Sequence, residues 1–340
     1  MVSARVSQHR LRYYLKIYRL CVSKDEKWLV ASDNLARLCF FKLSESSSGG
    51  AQSLSHFIKL KHPVFAMKTA GNHLICGDTH GYILVYCWDD ISKKSEDDSA
   101  SRPLARIPCF EGVEYMKAAT LRFLVLHVSD DGRRIWAAGA GDNSLREYDV
   151  EGLCKPLSCL SGHSDYVCEL AVASSPSSLL SASADGTVRI WDARASRSTI
   201  HTINVAQEKK VARPELGKRV SALASDGGNF MVCGGGVDLG IWHMGSYSLA
   251  ERLEGNEDVL HLTALMRGDK IVCGGSSPQL EQWNYDAKKS QSIETSATAI
   301  YSILETETAL YAAGDSHLID VYLNLGYVHY TLDAFPIRSD

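Results

Sequence analysis

Three side chains near the middle of the chain have the types that nucleophilic catalysis requires. His163, Ser181 and Asp185 lie in one short segment of the sequence. A serine hydroxyl activated by a histidine, with an aspartate orienting the imidazole, is the arrangement that many hydrolases use for acyl transfer. Ser181, however, stands inside the strand-like run SLLSAS and lacks the Gly-x-Ser-x-Gly turn that exposes such a nucleophile. The sequence therefore favours a structural role for these residues.

Cysteine is the second residue type that could carry chemistry. The chain has ten cysteines but no CxxC pair and no secretory signal, which indicates reduced thiols in an intracellular protein rather than disulfides or structural zinc. Cys76, Cys233 and Cys273 each stand nine or ten residues before an aromatic residue. Because this position belongs to a repeating pattern, we expect the three thiols to lie in separate units as buried packing residues, without metal or redox chemistry.

Composition narrows the classes of function. The chain has 340 residues, of which 45% are apolar and 22% charged, and its net charge is −4. This balance argues against general nucleic-acid binding, and no run of 18 apolar residues is present to cross a membrane. The glycine-rich stretch CGGG at 233–236 lacks the lysine of a phosphate-binding loop. We therefore expect no catalytic residue, metal, cofactor or small-molecule substrate.

The chain repeats one unit, which consists of an apolar run, a small-residue turn and an alternating run that ends in an aromatic residue. The clearest copy, LLSASADGTVRIW, ends at Trp191, and six further copies end at Phe40, Tyr86, Tyr148, Trp242, Trp283 and Tyr322. Successive aromatic residues are separated by 46, 62, 43, 51, 41 and 39 residues. Four of these steps lie close to the ~40–45 residues of a propeller blade. With further β-prone runs before each hairpin, the pattern predicts an all-β protein, a seven-bladed β-propeller of four-stranded antiparallel blades.

The repeat also predicts the domain boundaries. We expect an N-terminal arm at 1–12, one propeller at 13–335 and a C-terminal tail at 336–340. Polar surface insertions interrupt the propeller at 44–55, 88–105 and 206–219. The segment GYVHYTL at 326–332 follows the last aromatic residue after a short turn, so blade seven should complete its own fourth strand and leave the N-terminal arm outside the ring.

The segment 162–192 carries a family resemblance. Its strings GHSDYVCELAV and LLSASADGTVRIWD resemble the WD-repeat family, whose blades contain a Gly-His and a Trp-Asp dipeptide. In that family a His, a Ser or Thr, an Asp and the Trp form a hydrogen-bonded set within one blade. By position, the resemblance implies that the set here is His163, Ser181, Asp185 and Trp191. Other copies of the repeat have Cys or Ala in place of the serine, so we expect those blades to hold by apolar packing.

Two other strings resemble a narrower family. FMVCGGG followed by IWH at 230–243, and IDVYLNLGY at 319–327, are similar to strings in WD-repeat subunits of the nuclear THO/TREX assembly, which couples transcription to mRNA export. The resemblance implies a nuclear, non-enzymatic scaffold whose partners are other THO subunits.

The candidate contact residues are basic. Arg194 ends a WDxR box, which resembles the box through which some WD-repeat proteins engage a cullin ubiquitin-ligase adaptor, so a substrate receptor is the alternative function. The insertion at 206–219 has five basic and two acidic residues, a local charge of +3 that suits an acidic partner surface or weak or indirect contact with RNA. The candidate partner contacts are Arg194, Lys209, Lys210, Arg213, Lys218 and Arg219.

Overall fold

In the computed structural model, the chain forms seven antiparallel four-stranded sheets, and the innermost strand of each sheet packs against that of the next to close a ring. The predicted fold class is thus confirmed. The structure describes residues 11–43, 54–92, 102–109, 124–129, 132–139, 142–150, 152, 155–172, 178–192, 199–255 and 258–335.

The strands of each blade follow one another in the chain, from the innermost to the outermost. Blade one contains β1 (Ile17–Val22), β2 (Trp28–Asp33), β3 (Arg37–Lys42) and β4 (His56–Lys59). Blade two contains β5 (Val64–Ala70), β6 (His73–Asp78), β7 (Tyr82–Cys87) and β8 (Ala105–Pro108). Blade three contains β9 (Leu124–Val128), β10 (Arg134–Gly139), β11 (Leu145–Asp149) and β12 (Ser158–Leu160). Blade four contains β13 (Val167–Val172), β14 (Ser178–Ser183), β15 (Thr187–Asp192) and β16 (Thr199–Asn204).

The last three blades have the same order. Blade five contains β17 (Val220–Ser225), β18 (Phe230–Gly235), β19 (Gly240–His243) and β20 (Ser248–Arg252). Blade six contains β21 (His261–Arg267), β22 (Lys270–Gly275), β23 (Gln279–Asn284) and β24 (Lys289–Glu294). Blade seven contains β25 (Ile300–Glu305), β26 (Leu310–Gly314), β27 (Leu318–Tyr322) and β28 (Tyr330–Asp333), so its fourth strand comes from the C-terminal segment.

The second strand of each blade explains the short apolar runs of the repeat. Strands such as β6 (HLICGD) and β18 (FMVCGG) are buried at every position after the first. A strand that is covered by a neighbouring blade on both faces cannot alternate apolar and polar residues, so it reads as a continuous run. The fourth strand of a blade has a neighbouring strand on one side only, so more of it is exposed, and β24 (KSQSIE) is correspondingly polar.

Apolar packing between blades holds the ring together. Seven clusters of buried side chains lie at the seven junctions between successive blades. All seven terminal aromatic residues of the repeat lie on third strands and are at most 3% exposed. The sequence pattern therefore located the core of every blade.

Among the described residues, side-chain contacts rather than a shared strand join blade seven to blade one. Leu15 and Ile17 pack with Tyr311 and Leu332 in the cluster at this junction. The guanidinium of Arg12 is 2.6 Å from the Asp333 carboxylate, and the Leu20 amide donates to Ser302 Oγ at 3.1 Å. Residues 1–10 of the expected arm and the tail at 336–340 lie outside the described residues.

Two of the predicted insertions are more structured than polar surface loops. The insertion at 88–105 begins with a one-turn helix, α1 (Trp88–Ile91), whose Trp88 and Ile91 are buried. The insertion at 206–219 contains a 3-10 turn at Pro214–Leu216, and Val211 and Arg213 within it are buried. Among the described residues, no helix has the length and apolar character that a membrane crossing needs.

Candidate functional site

Four side chains of blade four form one continuous chain of hydrogen bonds. The indole Nε1 of Trp191 donates to Ser181 Oγ at 2.8 Å, and Ser181 Oγ lies 2.7 Å from His163 Nε2. His163 Nδ1 lies 2.9 Å from the Asp185 carboxylate. Every group is satisfied when the imidazole carries its proton on Nδ1 and accepts the serine hydroxyl proton on Nε2. The structure thus brings together the four residues that the sequence placed in this set.

The local backbone explains how Asp185 reaches this position. The Asp185 carboxylate also accepts hydrogen bonds from the Ser164 amide at 3.0 Å and the Thr187 amide at 2.9 Å. Gly186, the next residue, has φ of +90°, and a Cβ there would lie 2.7 Å from the Cβ of Ala206. Only glycine combines this conformation with this close approach, so the turn between β14 and β15 holds Asp185 beneath the histidine.

Burial opposes the charged form of Asp185, but the hydrogen bonds from His163 and Thr187 outweigh it and lower the pKa of the carboxyl. The carboxylate is therefore ionised at neutral pH. It joins the loop before β13 to the turn after β14, which makes the set a cross-link within the blade.

The set has the connectivity of a Ser-His-Asp triad but cannot act as one. Ser181 and Trp191 are both 0% exposed, so no substrate reaches the hydroxyl. The Trp191 indole also donates a hydrogen bond to Ser181 Oγ and so lies against the oxygen that would have to attack a substrate carbonyl. The hydrogen bonds therefore stabilise the blade and leave no reactive serine at this place.

Replacing Ser181 with alanine should lower the free energy of unfolding by about 1–3 kcal/mol, because it leaves the Trp191 indole and His163 Nε2 buried without their partner. Urea unfolding followed by tryptophan fluorescence measures the change. Cys233→Ala, at the equivalent position of blade five, is the matched control and should cost less, since no histidine depends on that side chain. Equal losses would show that the hydrogen-bonded chain adds nothing to packing.

Sulfur stands in place of the hydroxyl in blades five and six. The indole N–H groups of Trp242 and Trp283 have no hydrogen-bond partner of the kind that Ser181 provides, and they face the thiols of Cys233 and Cys273. Burial raises the pKa of both thiols, and the interaction with each indole opposes this rise. A buried, protonated thiol is neither a nucleophile nor a metal ligand.

Cys76 is likewise fully buried, in blade two, and burial raises its pKa well above the ordinary value. Cys76, Cys233 and Cys273 thus occupy three different blades, on β6, β18 and β22. Within the described ranges, no three His, Cys, Asp or Glu side chains are grouped so that they could hold a metal ion.

The structure corrects one of the predicted contact residues. Arg213 is buried, and its Nε lies 3.1 Å from Asp238, which also pairs with Arg252 at 2.8 Å. Its Nη2 donates to the carbonyl oxygens of Gly235, Val237 and Val259 at 3.3, 3.3 and 2.9 Å. The side chain therefore fastens the loop before blade five to the next turn and is not available to a partner. Its pairing with Asp238 could not be read from the sequence, because the two residues lie in different loops.

The other basic residues of this insertion are on the surface. Lys209, Lys210 and Lys218 are exposed, and the Arg219 guanidinium lies 5.6 Å from the centre of the Tyr166 ring. Arg194, the last residue of the WDxR box, lies outside the described residues. Of the predicted contact residues, these four cations on the loop between blades four and five are the ones that the structure describes at the surface.

The central channel contains groups that the sequence did not indicate. Arg19 on the inner strand of blade one reaches across to Glu169 on the inner strand of blade four, and the pair is 2.5 Å apart. Tyr18 lies against Phe65, with 4.2 Å between ring centres, at the equivalent position of blade two. No local motif marks these residues, because they meet only when the ring closes.

Comparison with known proteins agrees with this architecture. The family model described as "WD domain, G-beta repeat" matches residues 154–192, which cover β12 of blade three and β13, β14 and β15 of blade four. The matched repeat thus begins one strand before blade four: it includes β12, the last strand of blade three, and lacks β16, the last strand of blade four.

Full-length relatives extend the similarity beyond this one repeat. The chain is 28% identical to the zebrafish (Danio rerio) "THO complex subunit 6 homolog" over 92% of this chain and 96% of the relative. It is 29% identical to human (Homo sapiens) "THO complex subunit 6" over 96% of this chain and 95% of the relative. The Arabidopsis thaliana protein of the same name is 29% identical over 55% of this chain and 49% of the relative. The chain is a seven-bladed β-propeller that carries a WD40 repeat and is similar along most of its length to proteins named THO complex subunit 6.

Proposed function

We propose that this protein is a non-enzymatic scaffold subunit of the nuclear THO/TREX assembly and docks other THO subunits, so that transcription and processing are coupled to mRNA export. The observation that carries the proposal is the similarity to proteins named THO complex subunit 6. This similarity extends over 92–97% of this chain in four relatives, the human and zebrafish proteins among them. A similarity of this extent covers every blade and is not explained by one shared repeat.

The side-chain chemistry supports a scaffold. The residue types that could have formed a catalytic centre are used within the blades, as the buried Ser181 and the buried thiol of Cys273 illustrate. The described surface consists of loops, strand edges and side chains of both charges. A rigid ring with such a surface is suited to protein docking.

Lys209, Lys210, Lys218 and Arg219 give the loop between blades four and five a local positive charge. We propose that the primary role of these residues is to contact an acidic surface of a partner protein. Weak or indirect contact with RNA phosphate is the secondary role, since four cations without a larger basic face give little affinity at physiological salt.

Sedimentation of nuclear extract through a glycerol gradient tests the proposal. The expected result is that the protein sediments with the other THO subunits, far from the position of a free monomer, and that nuclease treatment leaves this position unchanged. A shift to the monomer position after nuclease treatment would indicate that RNA holds the protein in place, and sedimentation as a monomer throughout would contradict the scaffold role.

A further inference from the structure

The outermost strand of each blade has an edge to which another strand could be added. In all seven sheets the fourth strand is the last in the hydrogen-bonded order. Such an edge presents backbone N–H and C=O groups that can pair with another chain. Proteins usually prevent this pairing with very short edge strands, with charged side chains or with proline.

Six of the seven outer strands carry one of these protections. The protective features are the length of three residues in β12, and Lys59 in β4, Arg106 and Pro108 in β8, Glu251 and Arg252 in β20, Lys289 and Glu294 in β24, and Asp333 in β28. This regularity shows that the ring is generally protected against edge-to-edge association.

The outer strand of blade four is the exception. β16 has the sequence TIHTIN, which is six residues long and contains no Asp, Glu, Lys, Arg or Pro. Its pairing with β15 has a register shift opposite Ile190 and Trp191, but β20 and β24 have the same irregularity in addition to their charges. Ile200 is 48% exposed, and Thr202 is exposed beside it. The His201 ring is stacked on Tyr247 of blade five, with 4.2 Å between ring centres, which keeps the strand in place. β-Branched side chains on an exposed edge favour the addition of a further strand.

The charges near this strand determine what can bind to it. Lys209 and Lys210 are exposed in the turn that follows β16. In the sequence, Arg194 and Arg197 precede the strand. Two copies of β16 paired antiparallel would bring the basic end of one copy towards the basic segment that enters the other, and like charges repel. A strand with acidic residues at one end has the complementary charge.

We propose that the outer edge of β16 is a docking site for an extended segment of a partner protein, which adds an antiparallel fifth strand to blade four. The segment has an uncharged core rich in β-branched residues and acidic residues at its N-terminal end, where an antiparallel strand meets Lys209 and Lys210. Backbone hydrogen bonds supply the affinity, and the acidic end fixes the direction and register. This site does not depend on the identity of the assembly.

A synthetic peptide of sequence DETVTVTV, labelled with fluorescein and added to the full-length protein, is the probe. We expect saturable binding by fluorescence anisotropy and slower hydrogen exchange of the backbone amides in β16. The peptide KKTVTVTV should bind about tenfold more weakly, which corresponds to about 1.4 kcal/mol.

Variants then locate the binding. Ile200→Lys with Thr202→Lys should weaken binding of the acidic peptide by about tenfold or more, because charged side chains on the edge prevent strand addition. Ser290→Lys with Ser292→Lys places the same changes at the matching positions of β24 and should leave binding unchanged. All four positions are on outer strands, and circular dichroism checks that each variant remains folded.

Three results would overturn the proposal. The first is that the acidic peptide does not bind, or binds without slowing exchange in β16. The second is that both double variants weaken binding equally. The third is that the protein forms a dimer that the Ile200→Lys and Thr202→Lys changes dissociate, because a second copy would then occupy the edge.

Discussion

Replacing Asp238 with alanine is expected to destabilise the protein by about 3–5 kcal/mol, because the change removes the Asp238 carboxylate from the buried Arg213 guanidinium. Arg213 and Asp238 are both less than 9% exposed, so water does not compensate for the lost ion pair. Four backbone carbonyl groups also surround this guanidinium, and they cannot neutralise its charge. Equilibrium unfolding in urea measures the loss.

Asp286→Ala is the matched control. Asp286 pairs with Lys288 at 2.9 Å, but both side chains are exposed, and such pairs often contribute nothing measurable. We expect its unfolding curve to match that of the unmodified protein. If Asp238→Ala also matched it, the account of Arg213 as a buried structural residue would be wrong.

Acidification from pH 7 to pH 4 is expected to remove about 6 kcal/mol of stability through two histidines. Burial lowers the pKa of His127 to about 4, and Lys68 acts in the same direction. Burial also lowers the pKa of His261 to about 4, with Arg213 and Lys289 contributing. Each shift from the ordinary value of about 6.5 corresponds to about 3 kcal/mol.

The sign of this pH dependence follows from which state of the protein, folded or unfolded, binds protons at the higher pH. Above pH 6.5 both histidines are neutral in the folded and unfolded chains, so the full stability is present. As the pH falls below about 6.5 the unfolded chain binds protons that the folded chain refuses, and stability is lost until about pH 4. Asp185, whose pKa is lowered, extends the loss only at still lower pH.

The variant His261→Gln separates this effect from general acid denaturation. It removes one of the two groups, so the slope of unfolding free energy against pH between pH 6.5 and pH 4 should decrease by about half relative to the unmodified protein. An unchanged slope would show that His261 does not govern stability in this range.

The sequence was sufficient for the fold because the repeat is local. Each hairpin combines a buried second strand, a tight turn and a buried aromatic residue within a few residues, as in the segment that ends at Trp283. The pattern therefore predicted seven blades and also the separation of the cysteines among them. It did not predict the packing of the insertions, since the burial of Trp88 and Val211 depends on neighbouring parts of the ring.

The candidate site could likewise be predicted from the sequence only in part. The hydrogen-bonded set from Trp191 to Asp185 could be predicted from residue positions, because its members lie in one repeat. The burial of Arg213 could not, because a basic loop that turns inward has the same composition as one that remains in solvent. The string TIHTIN can be read in the sequence, but its place at a sheet edge follows only from the strand order, in which β16 is the outermost strand of its blade.

Affinity purification of the tagged protein from nuclease-treated nuclear extract, with quantitative mass spectrometry of what binds, tests the scaffold proposal most directly. The unmodified protein and the Arg194→Ala variant are compared. We predict that both recover the other THO subunits in fixed proportion to the tagged chain. Recovery of a cullin ubiquitin-ligase adaptor without THO subunits, and its loss in the variant, would contradict the proposal and identify a substrate receptor instead.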